Sequence, residues 1–273
     1  MPALALAIVV SVAVGVWAQR RHGDGAVALT RRLLDAMLYV ALTLTGLTAW
    51  AIATRVLALA PRTAAMVVIA AIMANTGYFG APVVATLLGH DQLGAAVTFD
   101  ALVSAPVFYG AAFLIAAMLT TRGQPSGARL RTYVLRNPPL IAVAAALVAP
   151  DALALDVLVD AARVTVLAIA PVGFFVVGVR LAAERIGVAP SLSAPVAVVV
   201  GLRIVVAPLL LVALAAIVAD VPDAYLLQAA MPVGVNTLVV AHAYDLDAAI
   251  AAAALAWSTA LALVAAVAAA ILT

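Results

Sequence analysis

The sequence has no cysteine, no lysine and little charge of either sign: Asp, Glu, Lys and Arg together make up 10% of its 273 residues. Without cysteine there are no disulfides and no thiol chemistry, and the redox compartment cannot be read from the chain. Without lysine every basic side chain is Arg, which, with Ala, Val and Leu in excess, suggests a GC-rich bacterial genome. The scarcity of charge excludes most. A soluble domain is about half apolar and about a quarter charged, whereas this chain is 68% hydrophobic. One water-surrounded core of this size cannot hide so much aliphatic surface. The solvent that fits is a bilayer, whose hydrocarbon of about 30 Å is crossed by roughly 20 apolar residues rising about 1.5 Å each. The expectation is an all-α, multi-pass protein of a bacterial cytoplasmic membrane with nine or ten spans. No cofactor, metal or nucleic-acid partner is expected.

Apolar runs fall near 3–18, 33–60, 63–89, 93–120, 137–155, 161–183, 194–219, 224–244 and 247–272. The first has Arg20 and Arg21 after it and no basic residue before it, the reverse of a cleavable signal, so it reads as a retained helix. Arg55 and Arg62 flank the third run, four Arg fill 121–136, and Arg180 and Arg185 follow the sixth. The alternate connections are acidic: Asp91, then Asp151, Asp156 and Asp160, then Asp220 and Asp223. Basic loops stay in the cytoplasm, so from residue 62 onward the chain alternates in and out without exception. Upstream the rule conflicts with itself. Arg20, Arg21, Arg31 and Arg32 should share a side with Arg55 and Arg62, yet the 22 residues between them suffice for one crossing, and two need about 40. A hairpin, a violation of the charge rule, or a lost span would each account for it. The linker 121–136, with Gly, Pro and Ser, divides the chain into transmembrane halves at 1–120 and 137–273.

Each half has one apolar run interrupted near its middle. The run 63–89 contains Asn75, Thr76, Gly77, Gly80 and Pro82; the run 224–244 contains Met231, Pro232, Gly234 and Asn236. Pro removes a backbone donor and Gly relaxes the helix. Broken backbone survives in hydrocarbon only when packed in protein or lining a wet cavity. One such run is most simply a kinked packing helix, with Gly allowing close approach. Two in matching halves point instead to a transporter's midplane site, where half-helix N-termini and Asn amides meet an anion.

At these residues the chain resembles the auxin efflux carrier family, which includes bacterial malate and malonate permease-like proteins. NTGYFGAPVVATLLG and MPVGVNTLVVAHAYDLD carry the resemblance, with RNPPLIA (136–142) and LRIVVAPLL (202–210) in support. The resemblance implies ten helices in two inverted five-helix repeats, with two broken helices crossing at mid-membrane as in bile-acid symporters and related antiporters. It also implies substrate bound beside the crossing and an elevator-like movement. One departure stands out. LLDAMLYVAL (33–42) looks like the start of the family's second span and TGLTAWAIATRVLAL (45–59) like the end of its third. About one span's length is therefore missing near 42–45, giving nine spans in place of ten.

Among other polar residues, Asp100 is the one acid well inside an apolar run and His242 follows the second motif by six residues; both are candidates to carry a coupling proton. Arg203, deep in 194–219, would attract an anion or, more simply, snorkel or pair. Tyr78 and Tyr244 would usually be interface anchors. A zinc hydrolase or serine hydrolase is disfavoured, since neither His-Glu-x-x-His nor Gly-x-Ser-x-Gly occurs. The function expected is secondary transport of a small organic anion, with H+ or Na+ and a second copy of the chain as further partners. The alternative is a scaffold or ligand sensor that keeps the carrier fold without transporting.

Overall fold

A computed structural model describes residues 24–120, 131, 191–218 and 221–272. The runs 3–18, 137–155 and 161–183, and all of the 121–136 linker except Arg131, lie outside the described residues. Within them the chain is helical, with no strand beyond one isolated bridge. Four helices are long and apolar enough to cross a bilayer: Ala36–Val56, His90–Thr120, Ala194–Ala216 and Ala248–Ile271. Their exposed side chains include Leu47, Val97, Leu209 and Val264, an outward apolar surface that lipid would cover.

Helix α1 (Asp24–Ala51) runs without interruption into a π-helical turn at Ile52–Val56. Arg31, Arg32 and Arg55, from the two Arg groups that conflict under the charge rule, therefore lie on one continuous rod, with Arg55 near its far end. Residues 33–56 form no hairpin, and the helix passes straight through the join at 42–45.

The first interrupted run opens with α2 (Pro61–Ile72), whose residues 64–72 are all buried. Pro61 at its first position supplies the preset φ and lacks only a donor that would be orphaned there anyway. The helix stops at Met73, which is extended, and resumes through a π-helical turn at Thr76–Gly80 into α3 (Ala81–Leu87). The break thus precedes Gly77, Gly80 and Pro82, which sit in the resumed helix. A π turn is wider than an α turn, and this one places its extra residue directly ahead of Pro82, whose nitrogen has no hydrogen to donate. A single long helix follows, composed of α4 (Leu93–Phe99), π-helical turns at Asp100–Ser104 and Val107–Ala112, and α5 (Phe113–Thr120).

After the undescribed stretch come α6 (Ala194–Gly201), a π turn at Leu202–Val206 and α7 (Ala207–Val218), forming the third long span. The second interrupted run comprises α8 (Asp223–Ala229), an irregular stretch, and α9 (Thr237–Tyr244); α10 (Ala248–Leu272) completes the described fold. Here Pro232 and Gly234 do lie in the break itself. Asp245, in the left-handed region at φ 53°, ends α9, a conformation a short polar side chain tolerates better than most.

The two breaks meet. Ala74 and Val233 form an antiparallel bridge: Asn75 N–H donates to Pro232 C=O at 2.8 Å and Gly234 N–H to Met73 C=O at 2.9 Å. A Cβ on Gly234 would come within 3.0 Å of the Ala74 carbonyl oxygen, so glycine allows this approach. At one end of the crossing pair Arg62 pairs with Asp245, and Thr63 donates to Asp247 at 3.4 Å. At the other, Ala224 packs with Val84 and Ala96. The start of the first interrupted run and the end of the second thus share a face, as the in-and-out alternation requires.

In this cysteine-free chain, single cysteines at Gly25 and Ala60 should label from opposite sides of sealed, oriented vesicles with an impermeant maleimide. Labelling from the same side would contradict the continuous helix.

Candidate functional site

The crossing opens onto a recess of about 580 Å³, within the range of cavities that hold small molecules. Asn75, Thr76, Gly77 and Pro82 line it from the first interrupted run, and Gly234 and Asn236 from the second. Asp100, Ser104, Phe108 and Tyr109 contribute from the long helix that follows, and Tyr78 joins them. Gly80, Met231, Pro232 and His242 are not among the lining residues. Met231 and Pro232 are buried within the crossing itself. His242 is exposed on α9, its Nδ1 within 2.6 Å of the Leu238 carbonyl. Tyr244, expected at an interface, is 3% exposed and packs edge-on against Phe113.

Asn75 holds the first break through its backbone, with Gly80 N–H bonded to its carbonyl at 2.9 Å. Its side chain is 3% exposed, and the amide Nδ2 has no hydrogen-bond partner among the described residues. An unmet buried donor costs about 1–3 kcal/mol, so a shift that brought Nδ2 to an acceptor would be favoured. Asn236 stands at the N-cap position of α9 but makes no side-chain cap bond there.

Asp100 opens its π turn on the same recess as Asn75. The Thr76 hydroxyl bonds its Oδ1 and lies 2.7 Å from the Ser104 hydroxyl. Thr76 has one hydroxyl proton; with that proton given to the carboxylate, Ser104 is the donor in the second bond. A Cβ on Gly77 would stand 3.7 Å from the carboxylate, so Asp100 packs directly on the resumed helix.

Two polar side chains lock the crossing from behind. Gln228, fully buried on α8, donates through Nε2 to Thr76 C=O at 3.2 Å and Ala96 C=O at 3.3 Å, while Oε1 finds no partner. The amide lies against Gly80, where a Cβ would come within 2.0 Å of Oε1. Gly80 therefore gives clearance to Gln228; it does not break the helix. Ser258 of α10 accepts from Val233 N–H at 3.0 Å. Sequence reasoning missed both residues, although a Gln among the apolar residues of 224–231 was a visible signal. Arg203, 2% exposed, neither snorkels nor faces the recess: its Nε donates to Met231 C=O at 3.0 Å and its Nη2 to Ala229 C=O. Among the described residues no three His, Asp or Glu side chains gather where they could hold a metal ion.

A family model described as membrane transport protein matches residues 135–268. Residues 135–268 belong to the membrane transport protein family. The match includes the second interrupted run and bears out the resemblance to the auxin efflux carriers; the first interrupted run, at 63–89, lies outside it. The match, together with the four long apolar helices, supports a multi-pass membrane protein, and transport, not catalysis, is the activity of the matched family. No curated protein and no solved structure matches the chain.

Overpacking a filled core costs about 1–3 kcal/mol, so Gly80→Ala should lower the melting temperature of the purified protein. With Gln228→Ala in the same chain the 2.0 Å clash is gone and only the 2.8 Å approach to Met231 Cγ remains, so the double variant should melt higher than the sum of the single effects predicts. Strict additivity in thermal unfolding would show that Gly80 and Gln228 do not share this contact.

Proposed function

We propose that the protein is a secondary carrier of small organic anions, working by alternating access around the crossing of its two interrupted helices. Two inverted repeats are the architecture that this reading supposes, and nine spans the count. The observation that carries the reading is the unpartnered, buried Asn75 amide in the wall of a recess made by both breaks. A ligand carboxylate would accept from Asn75, and Asn236 would offer a second amide from the opposite run. The half-helix N-termini that begin at Thr76 and Thr237 add partial positive charge on the same side.

Asp100 gives the reading its coupling ion. Two negative charges in one recess repel in a medium of low dielectric, so an anion and an ionised Asp100 disfavour each other. A proton on Asp100 relieves that repulsion, and linkage then makes anion binding and proton binding mutually reinforcing. H+ is accordingly favoured over Na+ as the co-transported ion, with Asp100 as its carrier and not the exposed His242.

In proteoliposomes loaded with labelled dicarboxylates or indole acids, wild type should show flux, and Asn75→Ala or Asn236→Ala should reduce it at least tenfold, on the order of one lost charge-assisted hydrogen bond. Equal flux in all three would remove the crossing from the transport path. Saturable binding without any flux would favour the scaffold or sensor reading, to which the single helix across 42–45 lends support. A second measurement addresses coupling. An imposed pH gradient should drive uphill accumulation in wild type but not in Asp100→Asn; accumulation by both would free Asp100 of that role.

A further inference from the structure

The interruption of the second run leaves the C-terminal carbonyls of α8 without helical partners, at the negative end of the helix dipole. Broken-helix carriers commonly use such carbonyls to coordinate a dissolved cation. Here Ala229 C=O and Met231 C=O are both taken by the guanidinium of Arg203, which reaches in from the π turn Leu202–Val206 on a neighbouring span. Among the described residues no carboxylate pairs with it, so the charge there is balanced by carbonyl dipoles, as a metal ion's would be. Beside the guanidinium a void of about 30 Å³, lined mostly by apolar side chains with Thr45 and Ser104 among them, leaves room for one water or small ion.

We propose that Arg203 is a tethered cation: its guanidinium occupies the place of a dissolved monovalent ion at the α8 break and holds the crossing formed without Na+. Arg203 is thus a positioning residue that acts on Asn236 and the recess through the backbone of 229–234. Removing its side chain should turn a cation-independent crossing into one that recruits a cation from solution. The inference concerns the integrity of the crossing and does not rest on carrier activity.

The test uses the purified full chain in detergent, melted in NaCl, guanidinium chloride or choline chloride at equal millimolar concentration and ionic strength. Wild type should melt at one temperature in all three. Arg203→Ala should melt lower in choline and recover, saturably and by at least about 2–4 °C, in sodium or guanidinium. A loss of packing alone would lower the melting temperature equally in every salt, and that result overturns the proposal, as does a wild-type chain with its own saturable Na+ stabilisation. If Arg203→Ala cannot be purified, Arg203→Lys against Arg203→Gln decides: a higher melting temperature for Lys upholds the need for a fixed cation, and equal temperatures overturn it. Because the readout is unfolding, a failure here leaves the carrier reading intact, and an absence of flux leaves this one intact.

Discussion

The structure depends on one constraint: in hydrocarbon every backbone N–H and C=O needs a partner inside the protein, and each one left without costs several kcal/mol. Two helices broken at mid-span would each expose such groups. The crossing meets the demand by letting each break serve the other, through Asn75 N–H to Pro232 C=O and Gly234 N–H to Met73 C=O. Side chains supply the remainder. Ser258 accepts from Val233, Arg203 donates to the carbonyls of Ala229 and Met231, and Gln228 donates to the Thr76 carbonyl at the start of the resumed helix. Charged and amide side chains are scarce in this chain, and Arg203, Gln228 and Ser258 at its centre complete the backbone of the breaks.

This accounts for what could be read from the sequence and what could not. The apolar runs, their lengths and the alternation of Arg and Asp loops follow from transfer free energy alone, and the described spans fall where those runs lie. The pairing of two interrupted runs was legible because Pro and Gly in mid-span have few other uses. The exact site of the first break was not. Gly77, Gly80 and Pro82 mark the resumed helix, because a π turn absorbs the proline and Gly80 makes room for Gln228. Clearance for a residue 148 positions along the chain leaves no local pattern. The place of Asp100 in the recess depends in the same way on the long helix 93–120 lying against Thr76 and Gly77, a tertiary fact.

The recess brings opposite electrostatic preferences together: amides and helix N-termini, which favour negative charge, stand beside the Asp100 carboxylate, which the Thr76 hydroxyl at the start of the resumed helix holds with Ser104. The apolar and aromatic surfaces of Pro82, Leu93, Phe108 and Tyr109 complete the lining.

The uninterrupted rod from Asp24 to Val56 has a consequence of its own. Its apolar window, Ala36–Val56, has 21 residues and so a length of about 31 Å, enough to cross the hydrocarbon. The helical residues 24–35 before it add roughly 18 Å, and Arg55 lies near the far end. With Arg31 and Arg32 in its first half and Arg55 near its end, the rod gets no single direction from the charge rule, and what holds it in place is the packing of Met37, Leu38 and Ala49 against neighbouring helices.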